Sequence, residues 1–82
     1  MAKYNQEIAA TLEKEWKGKK IEITDKTHPW RNKMGEVTGI DYTEFGYALL
    51  VKIQVNTKEW ICRVLSISKK PVNIKFNVKI II

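Results

Sequence analysis

IEITDKTHPWRNKMGEVTGID, residues 21–41, places an alternating apolar pair, a crowded polar turn and a glycine-led apolar segment in one run. Ile21 and Ile23 alternate with Lys20, Glu22 and Thr24, the period-two pattern of a strand with one face buried. From Asp25 to Met34 the chemistry is that of a turn, with Asp25, Pro29 and Asn32 close together. Gly35 to Asp41 reads as a second strand, and Gly39 inside it marks a bulge or sharp bend. His28, Trp30, Arg31 and Lys33 all fall within the turn, so the segment that decides the fold also carries the first candidates for recognition.

Downstream the period of two persists. Residues 42–46 form a turn and 47–53 a third strand, whose Ala48 and Leu50 predict burial on both faces. After a turn at 54–58, residues 59–68 form a fourth strand with a break near Leu65, and Lys69, Lys70 and Pro71 punctuate the chain. Residues 72–82 then alternate strictly, with Val72, Ile74, Phe76, Val78 and Ile80 against Asn73, Lys75, Asn77 and Lys79. This is the strongest strand signal in the sequence. An unpaired strand ending in three isoleucines would aggregate, so it must pair with the rest of the sheet or with a second copy of the chain. The expectation is a monomer, or a dimer through the C-terminal strand.

Upstream, Tyr4, Ile8, Leu12 and Trp16 recur at helical spacing and predict a helix over 4–17. Asn5 is placed to cap it, Gly18 to stop it, and Lys17, Lys19 and Lys20 to complement the dipole at its C-terminal end. One helix followed by five or six short strands with tight turns implies a mainly β single domain over 1–82, built as a small antiparallel barrel.

Eighty-two residues suffice for one domain, and 44% hydrophobic with 29% charged residues suits a folded one. The formal net charge is +6; thirteen of the fifteen basic residues are lysine, and the others are Arg31 and Arg63. Such an excess favours polyanionic partners, nucleic acid foremost, although lysine also serves simply to keep a surface soluble. Other classes drop out. Cys62 and His28 are each the single residue of their kind, so a disulfide, a zinc ligand set and a nucleophile–base pair are all unavailable within the sequence. The four glycines are dispersed and make no phosphate loop. No leader or apolar run of membrane-spanning length is visible, so the expected setting is cytoplasmic, with no membrane, no metal, no cofactor and no catalysis.

With the strands placed, residues 18–68 resemble an SH3-like barrel of the KOW type. The resemblance rests on Ile21 and Ile23, the turn through His28-Pro29-Trp30-Arg31-Asn32-Lys33, then Gly35 and Val37 with Ile40-Asp41 following. That family usually carries a further glycine ahead of the one matched by Gly35, where the backbone takes a positive φ. Asn32 stands there in this chain, the next most tolerant residue. The resemblance implies an SH3-like barrel over 18–68, with the N-terminal α-helix and an extra C-terminal strand outside it. It further implies RNA binding or a place in ribosomal or transcription-elongation assemblies, whereas other barrels of this shape dock only on proteins.

Two functional expectations follow. The first is nucleic-acid binding, RNA or DNA, through His28, Trp30, Arg31 and Lys33 of the first turn, assisted by Lys52, Lys58 or Arg63. Trp30 either stacks on a base or plugs one end of the barrel. Trp60 and Arg63 stand at odd separation and so on opposite faces of the fourth strand, with Arg63 expected outward and Trp60 in the core. Tyr47 is expected to face inward, Tyr42 and Phe45 to extend an aromatic surface, and Cys62 to fill the role of a small buried apolar residue. The second expectation is a protein-interaction or assembly module, an accessory subunit or mobile-element-type protein docking on a larger complex through the helix stripe and the isoleucine-rich end.

Overall fold

A computed structural model describes residues 5–67 and 74–81. Its helix α1 spans Gln6–Trp16, opened by Asn5, whose Oδ1 accepts from the amides of Glu7 at 2.9 Å and Ile8 at 3.2 Å. These bonds satisfy two of the four donors that a helix start leaves without intrahelical partners. Gly18 ends the helix at φ 87°, a conformation a glycine enters without Cβ strain. Leu12 is buried, and Ile8, Ala9 and Trp16 pack partly buried against the core. The described part of the apolar stripe therefore packs against the domain's own core. Tyr4 lies outside the described residues.

Five antiparallel strands follow: β1 Lys20–Ile23, β2 Met34–Thr43, β3 Gly46–Val55, β4 Lys58–Leu65 and β5 Val78–Ile80. They form one sheet in the order β4-β3-β2-β1-β5. Beyond β4, Ser66 bridges Phe76, and the Ile67 amide donates to the Lys75 carbonyl at 2.7 Å. The chain after one edge strand thus meets the chain before the other, which curls the sheet into a barrel-like shape. The β2–β3 turn is only Glu44 and Phe45 long, shorter than the sequence pattern implies, because Thr43 already pairs with Gly46. Ladder register shifts between Val37 and Gly39, the bulge that Gly39 announces.

Alternation assigns the faces. Across the sheet, Ile80, Ile21, Gly35, Ile53 and Trp60 occupy one row, and Val37, Val51 and Cys62 another, on the concave side that α1 covers. Ile21, Ile23, Leu49, Val51 and Val64 have no measurable exposure. Gly35 earns its place by close approach rather than by a left-handed φ. A Cβ built there would stand 2.6 Å from the Lys52 carbonyl oxygen and 2.7 Å from Val51 Cγ1. Asn32, by contrast, does adopt the positive φ expected of it, at 68°.

The C-terminal alternation yields less strand than its pattern suggests. Residues 72, 73 and 82 lie outside the described residues; among the rest, Phe76 makes an isolated bridge and the ladder is confined to Val78–Ile80. The cause is the partner: β1 is four residues long, and its pairing with β5 runs only from Ile21 to Ile23. That pairing lies within the chain.

Candidate functional site

The segment between β1 and β2 is a stack of turns. The His28 amide donates to the Asp25 carbonyl at 3.1 Å, Arg31 to His28 at 3.2 Å, and Lys33 to Trp30 at 3.1 Å. Its base is closed by the Asn32 amide on the Ile23 carbonyl at 2.7 Å and by the Ile23 amide on the Lys33 carbonyl at 2.9 Å. Asp25 accepts from the Thr27 hydroxyl at 2.7 Å and from the Thr27 amide at 3.0 Å. The hydroxyl bond first, then the amide bond, holds the Asp25 carboxyl below its ordinary pKa against a small opposing effect of burial.

His28 latches this segment to the far edge of the sheet. Its Nδ1 lies 3.0 Å from the Trp30 amide and its Nε2 lies 2.9 Å from the Arg63 carbonyl oxygen. An amide can only donate and a carbonyl can only accept, so both bonds are satisfied by one species, the neutral ring with its proton on Nε2. Because β4 is an edge strand, the latch takes up main-chain hydrogen-bonding capacity on the side of the sheet that would otherwise invite another strand.

Pro29 and the two His28 bonds deliver Trp30 onto β4. Trp30 is half-buried, packs against the core and meets Trp60 edge to face, with ring centroids 6.1 Å apart and planes at 63°. It closes one end of the sheet. Trp60 stands on the concave side, as strand parity requires, yet it is 47% exposed rather than in the core. The expectation of a core position fails because β4 has no strand beyond it to cover the row's last residue. Strand parity signals the face; only the strand order reveals the edge.

The candidate cations separate into two groups. Arg31 and Lys33 belong to the same turn stack as Trp30, and Lys58 precedes Trp60 by two residues on the same strand face. None of the three makes an ion pair with another described residue. Lys52 and Arg63 project from the opposite, convex face, since Lys52 pairs with Ile61 and Arg63 with Leu50. Arg63 is moreover engaged, its Nε donating to Asp41 Oδ2 at 2.6 Å. That bond is the main reason the Asp41 carboxyl sits below its ordinary pKa. Lys52 lies across the ladder from Glu36, and Glu36 from Lys20. Lysines without an ion pair to a described residue therefore occur on several faces, Lys14 on α1 and Lys75 before β5 among them; what sets Arg31, Lys33 and Lys58 apart is their placement beside Trp30 and Trp60.

The other aromatic expectations resolve individually. Tyr47 is buried, Tyr42 is half-buried against it with centroids 5.1 Å apart, and Phe45 alone stands out at 58% exposure. Cys62 is half-buried on the concave side of β4, and burial raises its thiol pKa. Its thiolate character is accordingly low. Among the described residues, no group of three or more His, Cys, Asp and Glu side chains is placed to hold a metal ion. No described helix is long and apolar enough to cross a membrane. Comparison of the chain with family models, curated proteins and solved structures finds no match.

Proposed function

We propose that the protein is a non-enzymatic binding module for nucleic acid, RNA or DNA, acting through the end of the sheet where Trp30 and Trp60 meet. The observation that carries this reading is a coincidence in space: a half-exposed tryptophan pair flanked by Arg31, Lys33 and Lys58, none of them neutralised by a described acid. Aromatic faces beside free cations suit a phosphate backbone with its bases, and the net charge of +6 draws such a partner in. The two alternating residues of β1, the turn at Asn32 and the β2 strand led by Gly35 and Val37 keep the KOW-type, SH3-like barrel as the proposed kinship.

The test is binding of generic oligonucleotides at two salt concentrations. Affinity should fall steeply with salt, and the slope of log K against log[salt] should shrink in magnitude by roughly 0.7–0.9 for each phosphate contact removed by Arg31→Ala, Lys33→Ala or Lys58→Ala. Lys52→Ala, on the convex face, should leave the slope unchanged. Absence of binding, or binding indifferent to salt, overturns the reading.

A second reading, protein docking on a larger assembly, draws support from a different surface. Ile61, Leu65 and Phe45 are exposed on or beside the convex face. Of the helix stripe, Leu12 is buried, while Ile8 and Trp16 keep part of their surface open. A stoichiometric protein partner that survives nuclease treatment and is lost with Ile61→Lys or Leu65→Lys would establish it.

A further inference from the structure

We infer that the site takes a single strand with an unpaired base laid against Trp60, and that duplex is not its ligand. This rests on the nucleic-acid reading above and narrows its substrate class. Trp60 is the last residue of its concave row, on an edge strand, and nearly half its surface remains open. Trp30 buttresses it edge to face and is itself held by His28, Pro29 and the Lys33 amide, so the platform is ordered before any ligand arrives. An ordered platform spares the entropy of fixing a side chain on binding. A ring offered this way can stack only on a base whose face is open, and inside a duplex both faces are covered by neighbouring pairs. Lys58 stands two residues along the same strand face, about 6.7 Å away at the main chain, within reach of the backbone of a strand whose base sits on Trp60.

Two of the elements that could read duplex are unsuited to it here. Entry into a major groove needs a projecting helix or a two-stranded ribbon. Helix α1 is packed down through Leu12 and Trp16 and carries Glu7, Glu13 and Glu15. The β2–β3 ribbon ends in Glu44 and Phe45, close to Asp41, so its tip repels phosphate. Neither sets cations beside an exposed tryptophan, as the end with Trp30 and Trp60 does.

The deciding experiment titrates wild-type protein and Trp60→Leu with ten-nucleotide single-stranded DNA, the matching RNA, and blunt duplexes of the same length at fixed low salt. Leucine keeps apolar bulk at a half-exposed position but has no π face, and circular dichroism verifies that the variant is folded. Wild type should bind single strands at least tenfold tighter than duplex, and Trp60→Leu should lose roughly tenfold or more on single strands while its duplex binding stays put. Comparing the DNA and RNA arms tells whether the sugar is read. Duplex bound as tightly as single strand, or single-strand binding untouched by Trp60→Leu, overturns this inference and leaves the nucleic-acid reading standing. Absence of binding to every oligonucleotide removes both.

Discussion

The hydroxyl of Tyr47 holds both main-chain polar groups of Asn5: it accepts from the Asn5 amide at 2.8 Å and donates to the Asn5 carbonyl at 3.1 Å. Tyr47 is 2% exposed and lies in the middle of the concave core, so a buried strand residue fastens the residue that caps α1. Tyr47→Phe preserves the ring packing against Tyr42 and removes this clamp. It should destabilise the domain by about 1–2 kcal/mol, measured by urea denaturation, and lower the helical circular-dichroism signal as the first turn frays.

Gly35 and Gly39 lie on one strand and should respond oppositely to the same change. Gly35→Ala puts a methyl into the Lys52 carbonyl and Val51, at distances no real Cβ occupies, and should cost about 3 kcal/mol or prevent folding. Among the described residues, nothing approaches the corresponding position at Gly39 more closely than Leu50 Cδ1 at 4.0 Å. Gly39→Ala should therefore be neutral, or stabilising by up to about 1 kcal/mol through lower chain entropy in the unfolded state. Midpoints of thermal unfolding for the two variants check the contrast, and equal effects would refute the explanation given for Gly35.

What could be seen in the sequence, and what could not, follows the same line. Asn32 was legible because few residues tolerate a left-handed turn, so chemistry and geometry nearly coincide at that position. Gly35 was legible as a necessity but not in its cause, since the approach of β3 is invisible along the chain. The concave parity of Trp60 was readable from spacing; its exposure was not, because edge position is a property of strand order. The strict alternation at the C-terminus overstated its strand because a ladder can be no longer than its partner, and β1 is short. Lys58 and Arg63 part by parity along one strand, whereas placing Lys52 on the Arg63 side needs the register of β3 against β4.

His28→Ala removes both ends of the latch and leaves the Trp30 amide without its acceptor. The loss should be about 1–2 kcal/mol of stability, accompanied by a red shift in tryptophan emission as the Trp30–Trp60 contact loosens. An unchanged emission maximum in a folded variant would show that packing alone holds Trp30.

Asp41 supplies a pH test with a defined sign. Its folded pKa is depressed, chiefly by the bond from Arg63, so its contribution is present above the unfolded value of about 3.9 and is lost as pH falls through the folded value. Asp41→Asn should destabilise by at most about 1 kcal/mol at pH 7, because the pair is largely exposed. The gap between the two proteins should narrow as pH drops below about 3.9 and close as it passes the lower folded value, where the wild-type carboxyl takes up its proton. Chemical denaturation at pH 7 and pH 3 measures it; a gap that widened on acidification would contradict the assigned bond.

The turn stack divides its own residues into those with freedom to vary and those without. His28, Trp30 and Asn32 are fixed by the architecture, as latch, end-piece and left-handed hinge, whatever the module contacts. Arg31 and Lys33 make no side-chain bond to another described residue, so exchanging them need disturb no contact within the described fold. Diversification of what this surface recognises is thereby channelled to positions 31, 33 and 58, where a new preference can be acquired without renegotiating the sheet that displays it.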